Sequence, residues 1–173
     1  MSRTRALIAG GIGTVALLSG GTLPASAAVT GDTTTTFTLA AGTLDIVVPA
    51  TAALTNGSSG ATSVSGSLGG VTVTDSRGNV LGWNVSAAAT PFTSNTGTTS
   101  TAVSYSSGTV SKTGIVTTAS LGTVALTTTP ASVVVGTLVV GNNTASWNPT
   151  LTVVLPASSL AGAYTGTVTT SVA

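Results

Sequence analysis

The stretch VTVTDSRGNVLGWNVSA, residues 71–87, decides the fold class of this 173-residue chain. Val and Thr alternate before its polar centre, and apolar residues recur at every second position after it, which is the pattern of half-buried β-strands. Between the two runs, SRGN at residues 76–79 supplies the Gly and Asn that tight turns favour. We therefore predict a β-hairpin here, with Asp75, Arg77 and Gly78 as its structural residues.

The same alternation continues along most of the chain. Val and Thr recur with period two, Gly and Asn separate the runs, and no helical periodicity follows residue 30 or so. β-branched side chains are stiff at χ1 and pack well on a pleated surface, so Val is expected to face inward and Thr outward. The chain is predicted to be all-β, an antiparallel β-sandwich of the immunoglobulin-like or Greek-key type with about nine strands.

The N-terminus carries the features of a secretory signal peptide. Two arginines in MSRTR precede an apolar run that is too short to span about 30 Å of hydrocarbon, and small residues follow at Ala25 and Ala27. We predict a signal-peptide helix over residues 1–27, cleaved after Ala27 or else after Ala28, and one domain over residues 28–173. The expected location is secreted, extracellular or cell-wall associated, with no transmembrane anchor once the signal is removed.

The charge pattern excludes nucleic acid as a partner. Charged residues are 4% of the chain, and Arg3 and Arg5 leave with the predicted signal peptide. The predicted mature chain then has two basic residues, Arg77 and Lys112, and three aspartates, so its formal charge is −1. Because binding to nucleic acid or to anionic membranes requires several clustered cations, neither partner is expected.

Residues that could carry catalysis are scarce. The chain has no His and no Cys, its three acidic residues are all aspartates, and these lie in separate segments. Ser111 does precede Lys112, but any lysine in so Ser-rich and Thr-rich a chain has such a neighbour. General bases, thiolates and the usual metal ligands are therefore missing together. We predict a protein that is not an enzyme and has no cofactor and no metal.

The order of these segments resembles that of the WxL domain, a secreted surface domain of Gram-positive bacteria. The resemblance covers most of the predicted mature chain, from residues 37–50 to residues 145–172, and is strongest to actinobacterial variants. The family's first motif, Trp-x-Leu, corresponds to Trp83, Asn84 and Val85. The second motif, a Tyr followed after three residues by Leu-Thr-Trp-x-Leu, corresponds to Tyr164, Val168, Thr169, Thr170, Ser171 and Val172.

The resemblance implies non-covalent binding to peptidoglycan through both motifs. It assigns this role to the motif positions Trp83, Val85, Tyr164, Val168, Thr169, Thr170 and Val172. Val in place of Leu is a mild change on an apolar face, whereas Thr170 in place of Trp removes a large ring.

Three features have both a structural and a binding interpretation. Trp83 shares its side of the predicted strand with Leu81 and Val85, which favours a core position over a sugar-stacking platform. Trp147 could cap one end of the sandwich or be an exposed aromatic, and the sequence does not choose between these. Asp75 is expected to cap the turn through backbone N–H groups, and Arg77 to pair with it or to cover apolar surface, rather than the two recognising a ligand.

Asp45 lies within the otherwise apolar segment TLDIVVPA. A buried aspartate would need hydrogen-bond donors or a shifted pKa, whereas alternation with Leu44 and Ile46 allows this one to face solvent.

The expected function is that of a non-enzymatic cell-surface module that binds cell-wall glycan or other surface proteins. The alternative is a structural subunit that self-associates through strand edges into a fibre or coat, because edges with few charges recruit one another. Residues 33–50, TTTTFTLAAGTLDIVVPA, are the first edge expected to do so.

Overall fold

The structure, a computed structural model, describes residues 33–97 and 99–173. The chain divides into two units, residues 1–38 and residues 39–173. Of the first unit only residues 33–38 are described, and these have no regular secondary structure. The predicted signal peptide and its cleavage sites lie outside the described residues.

The described part of the chain contains thirteen strands and no helix. Every strand pairing is antiparallel, so the all-β prediction is confirmed. Several strands beyond the nine or so expected are only two or three residues long, which is too short to produce a periodic pattern. In chain order the strands are β1 (Leu44–Val47), β2 (Ser63–Ser67), β3 (Val71–Asp75), β4 (Trp83–Ala89), β5 (Phe92–Ser94), β6 (Thr99–Ser100), β7 (Val103–Ser106), β8 (Ser111–Ser120), β9 (Thr123–Leu126), β10 (Ala131–Trp147), β11 (Thr150–Val154), β12 (Tyr164–Thr165) and β13 (Val168–Val172).

These strands form three sheets. Sheet A has six strands in the order β1-β3-β10-β4-β13, with β8 also paired to β10. Sheet B has the order β2-β11-β7-β9, and sheet C has the order β12-β5-β6.

The long strand β10 organises sheet A. Strand β8 pairs with both halves of β10, so it occupies one edge along nearly the whole strand. Strand β3 pairs with Asn143–Trp147 and β4 pairs with Ala131–Gly136, so both must lie on the other edge. Because both are antiparallel to β10, β3 and β4 run in the same direction, one after the other.

This arrangement corrects the hairpin prediction for residues 71–87. A hairpin would reverse the chain and pair β3 with β4, whereas here both strands pair with β10. Strands β3 and β4 therefore lie end to end along one edge of β10. Residues 76–82, which we call the corner, connect them. The period-two pattern identified both strands, but it carries no information about which strand pairs with which.

One hydrophobic core contains side chains from all three sheets. It holds valines and alanines at alternate positions of the long strands, together with Trp83, Phe92, Tyr105 and Trp147. The inward alternation is clearest in β4, where Trp83, Val85, Ala87 and Ala89 are buried and the residues between them are only partly so. The Trp147 indole Nε1 donates a 2.8 Å hydrogen bond to the Tyr105 hydroxyl, joining sheet A to sheet B inside this core.

Candidate functional site

The corner is closed by the Arg77 side chain. Its guanidinium donates to both carboxylate oxygens of Asp75, at 2.9 Å from Nε and 3.0 Å from a terminal nitrogen. The same terminal nitrogen donates to the carbonyl oxygens of Leu81 and Gly82, at 3.3 and 3.1 Å. Because the guanidinium presents its donors in a fixed plane, one residue ties the end of β3 to the start of β4. The expected pairing of Asp75 with Arg77 is confirmed.

The Asp75 carboxylate is fully buried, with no exposed surface. Besides the guanidinium, it accepts a 3.1 Å hydrogen bond from the Arg77 backbone N–H, which makes the tight turn at the end of β3. The hydrogen bonds from the Arg77 side chain hold the pKa of Asp75 below its ordinary value, against the opposing effect of burial. The same bond raises the pKa of Arg77. The buried carboxylate is therefore held ionised by its partners.

Asn143, in β10, connects this ion pair to Trp83. Its amide nitrogen donates to Asp75 Oδ2 at 3.3 Å, and its amide oxygen accepts from the Trp83 indole Nε1 at 3.1 Å. The amide orientation is determined, because an indole can only donate and a carboxylate can only accept. We call the four residues Asp75, Arg77, Trp83 and Asn143 the corner network. All are buried except Arg77, whose side chain is 21% exposed.

The Trp83 ring packs on the backbone of β10. Gly136 lies opposite Trp83 in the ladder, and a Cβ placed there would lie within 2.7 Å of three atoms of the indole. Only 3% of the residue is exposed, so its ring faces cannot stack on a sugar. The core interpretation of Trp83 is confirmed. Leu81 does not share this position: it precedes β4, in the corner, and is 60% exposed.

The two motifs of the WxL resemblance lie on adjacent strands. Strand β13 pairs with β4, which places Val172 opposite Val85 and Thr170 opposite Ala87. Val85 is buried, and Val168 and Val172 are partly buried against the core. The other two motif positions differ. Tyr164 belongs to β12, outside this pair of strands, and Thr169 of β13 is exposed. Tyr164 donates its hydroxyl to the Leu160 carbonyl oxygen at 3.0 Å.

An open groove of about 290 Å³ lies beside β13. One wall is the chain after β1, from Val48 to Ala52 with Leu54, and the other is Gly166 to Val168 with Thr170. The core residues Val71, Phe92 and Leu151, and Leu68, which packs against the core, complete the lining. No charged side chain is among these lining residues, and the threonine side chains are the hydrogen-bonding groups it offers. The groove is suited to a neutral ligand with both apolar and hydroxyl surface.

Trp147 is not the exposed aromatic that one interpretation allowed. It ends β10, where it pairs with Val71, and only 4% of it is exposed. Its indole nitrogen is satisfied by Tyr105, which is itself fully buried. Burial also raises the pKa of the Tyr105 hydroxyl.

Tyr105→Phe is expected to lower the free energy of unfolding by about 1–2 kcal/mol, because it leaves the buried Trp147 N–H without an acceptor. Tyr164→Phe removes the same hydroxyl from an exposed hydrogen bond and should change stability by less than about 0.5 kcal/mol. Urea unfolding followed by tryptophan fluorescence measures both. Equal losses for the two variants would contradict the inter-sheet role of Tyr105.

Asp45 is exposed in β1, so the solvent-facing alternative for this residue is confirmed. In residues 33–97 and 99–173, no group of three or more His, Cys, Asp or Glu side chains is placed to hold a metal ion. No helix in the same ranges has the length and apolar character needed to cross a membrane.

Sequence reasoning missed three residues on which this region depends: Asn143, Gly136 and Tyr105. Asn143 has a visible signal, since GNNTASW places amides inside a run of Val and Thr that would otherwise be an ordinary strand. Gly136 has none, because its role depends on the ring that lies opposite it in another strand.

No protein family, no curated protein and no solved structure matches the chain. The resemblance to the WxL domain therefore stays a prediction.

Proposed function

We propose that this chain is a secreted, non-enzymatic cell-surface module that binds neutral cell-wall glycan through the groove beside β13. The observation that carries the proposal is the groove itself, which is open, about 290 Å³ in volume and lined without a charged side chain. A pyranose ring has apolar faces and a rim of hydroxyls, so it matches a surface of aliphatic side chains and threonine hydroxyls. A surface protein is the second partner that such a groove suits.

If the WxL resemblance holds, the second motif lies at the proposed binding site, because Val168 and Thr170 line the groove. In that family a large ring is expected at the position of Thr170, and here the smaller side chain lines the groove instead. Trp83 and Val85 belong to β4, the strand that pairs with β13, and both are buried in the core. Binding is thus assigned to the side of the second motif that carries Val168 and Thr170 and lines the groove, while the first motif has a packing role.

We further propose that the fold is a β-sandwich, in which sheets A and B enclose the core. The support for this is the shared core and the Trp147–Tyr105 hydrogen bond, which crosses from one sheet to the other. Side chains of two inner faces that pack together are the defining property of a sandwich.

The groove can be tested with two neighbouring alanines. Ala52 lines the groove and Ala53 does not, and both are exposed. Ala52→Arg introduces a bulky charge into an uncharged groove, so retention on purified peptidoglycan in a sedimentation assay should fall at least about tenfold, as expected when a charge is desolvated without a partner. Ala53→Arg should bind like the unmodified protein. Equal retention of the two variants, or no retention of the unmodified protein, would refute glycan binding through this groove.

A structural subunit remains the second candidate function, because apolar side chains are exposed at several strand edges. Val47 of β1 is 60% exposed, within the segment expected to associate first. Ile115 of β8 is 63% exposed, on a second edge of the same sheet. Strand edges of this kind pair with other chains unless charge or shape prevents it.

A further inference from the structure

Asn56 and Gly57 form the one Asn-Gly pair of the sequence. Both residues are exposed and lie outside the strands, in the connection between β1 and β2. The side-chain amide carbon of an asparagine lies within reach of the next backbone nitrogen, and a following glycine has no Cβ to obstruct the approach. The pair therefore brings an electrophilic carbon and a main-chain nucleophile together at the protein surface.

Neither reacting group of this pair is held by the fold. Within residues 33–97 and 99–173, nothing accepts a hydrogen bond from the Gly57 N–H, and the Asn56 side-chain amide has no hydrogen-bond partner. The backbone at this point can therefore rotate without breaking a bond in the described structure. Segments of this kind open at almost no free-energy cost, so a reaction between the two groups does not require unfolding.

The neighbouring chain explains why a glycine occupies position 57. The Thr55 N–H donates to the Ser65 carbonyl oxygen at 3.0 Å, which holds this stretch against β2. A Cβ at Gly57 would lie 2.8 Å from Cγ1 of Val64, also in β2. Packing against β2 thus favours glycine at this position, and the same glycine makes the preceding asparagine reactive.

The sequence has six other asparagines: Asn79, Asn84, Asn95, Asn142, Asn143 and Asn148. Three of them lie inside strands β4 and β10, where the next backbone nitrogen belongs to a paired strand and is released only by local unfolding. Two precede the β-branched residues Val80 and Thr96, whose side chains crowd the approach. The last precedes Pro149, whose nitrogen carries no hydrogen. Asn56 alone combines exposure, an unbonded neighbouring N–H and a following glycine.

We infer that Asn56 is a modification site at which the side-chain amide is lost by spontaneous deamidation. The Gly57 backbone nitrogen attacks Asn56 Cγ, forms a C–N bond and gives up its proton. The bond from Cγ to Nδ2 breaks, and the leaving nitrogen takes up a proton and departs as ammonia, which leaves a cyclic succinimide.

Water then opens the succinimide at one of its two carbonyl carbons. Cleavage of the bond to Cγ gives aspartate in an ordinary backbone, whereas cleavage of the bond to the Asn56 main-chain carbon gives isoaspartate. In total one water is consumed and one ammonia is released, and nothing is oxidised or reduced. The reaction needs only solvent as its second reactant.

Either product changes the charge of a chain that has few charges. The described ranges hold two residues of each sign, Asp45 and Asp75 with Arg77 and Lys112, so a carboxylate at position 56 takes their net charge from zero to −1. Asn56 is not among the residues that line the groove, so this inference does not depend on glycan binding.

Peptide mapping by mass spectrometry tests the site in the full chain incubated at neutral pH. Asn56 should be converted before any other asparagine, at a rate within about tenfold of the rate in the urea-unfolded chain. Asn56→Gln is the matched control and should prevent the acidic form from appearing, because its longer side chain closes a ring less readily. Faster conversion at another asparagine, or more than about tenfold protection of Asn56 by folding, would overturn the inference.

The chemistry has its own test in water labelled with heavy oxygen. The product at Asn56 should carry one solvent oxygen, and the rate should rise with pH through the neutral range, because the attacking nitrogen must lose its proton. Asn56→Asp should have the same charge as the modified chain in an isoelectric separation. A product without solvent oxygen, or a rate that falls as the pH rises, would contradict the succinimide route.

Discussion

Gly136→Ala is expected to lower the free energy of unfolding by about 3 kcal/mol, although it adds a single methyl group. The methyl carbon would lie within 2.7 Å of three atoms of the Trp83 indole, so the ring must move. The ring cannot move freely, because its Nε1 is bonded to Asn143 and both residues are buried. The displacement therefore breaks a hydrogen bond as well as a packing contact.

The matched control is Gly70→Ala. A Cβ at Gly70 meets nothing within 4 Å, and Gly70 has no positive φ. This variant should be neutral or more stable by a few tenths of a kcal/mol, through a less flexible unfolded chain. Denaturant unfolding of both variants gives the comparison. Equal stabilities would mean that the Trp83 ring does not lie on Gly136.

Asp75→Ala is expected to lower the free energy of unfolding by about 3 kcal/mol. It removes the acceptor of three hydrogen bonds from Arg77 and one from Asn143, and it frees the two ends of the corner from each other. The carboxylate is buried, so water does not replace it without rearrangement. Asp45→Ala removes an exposed carboxylate from the neighbouring strand and should change stability by less than about 0.5 kcal/mol.

Acid titration gives the same prediction a second readout. The pKa of Asp75 is lower in the folded than in the unfolded chain, mainly because of the Arg77 side chain, so ionisation favours the folded state. This stability is fully present above the unfolded aspartate pKa of about 3.9 and is lost as the pH falls through the lowered folded value. Asp75→Ala should flatten the fall in stability below about pH 4. An acid profile that this substitution leaves unchanged would contradict the buried ion pair.

These variants also bear on how binding experiments are interpreted. Trp83 is the motif residue that the WxL resemblance makes most attractive for mutation, yet it lies in the core and in the corner network. Loss of wall binding in Trp83→Ala could therefore result from unfolding, and a stability measurement on the same variant is needed to distinguish the two causes. Ala52 and Ala53 avoid this difficulty because both are exposed.

The fold class could be predicted from the sequence because Val and Thr alternate over many segments, and an apolar–polar alternation with a period of two residues indicates a β-strand. The burial of Trp83 followed from the same alternation, through Val85 on its side of the strand. The exposure of Asp45 between Leu44 and Ile46 was allowed on the same grounds. These are properties of one strand, and a single strand is what periodicity describes.

The pairing of strands could not be predicted in this way. Gly78 and Asn79 have the composition of a hairpin turn, and Gly78 does have a φ of 65°. The chain does not reverse there, because β10 is long enough to accept β3 and β4 in succession on one edge. That property is set by β10, some fifty residues later, and by its irregular centre at Leu138 and Gly141. Asn143 was missed for the same reason, since its partners are distant in sequence.

Cross-strand nuclear Overhauser effects in solution would test the central claim, the succession of β3 and β4 along β10, most directly. The account predicts backbone contacts of Val73 with Ala145 and of Val85 with Val134. It also predicts a protected Trp83 indole N–H close to the Asn143 side chain. Contacts between Val73 and Gly82 instead, as a hairpin centred on residues 76–79 would produce, would contradict it.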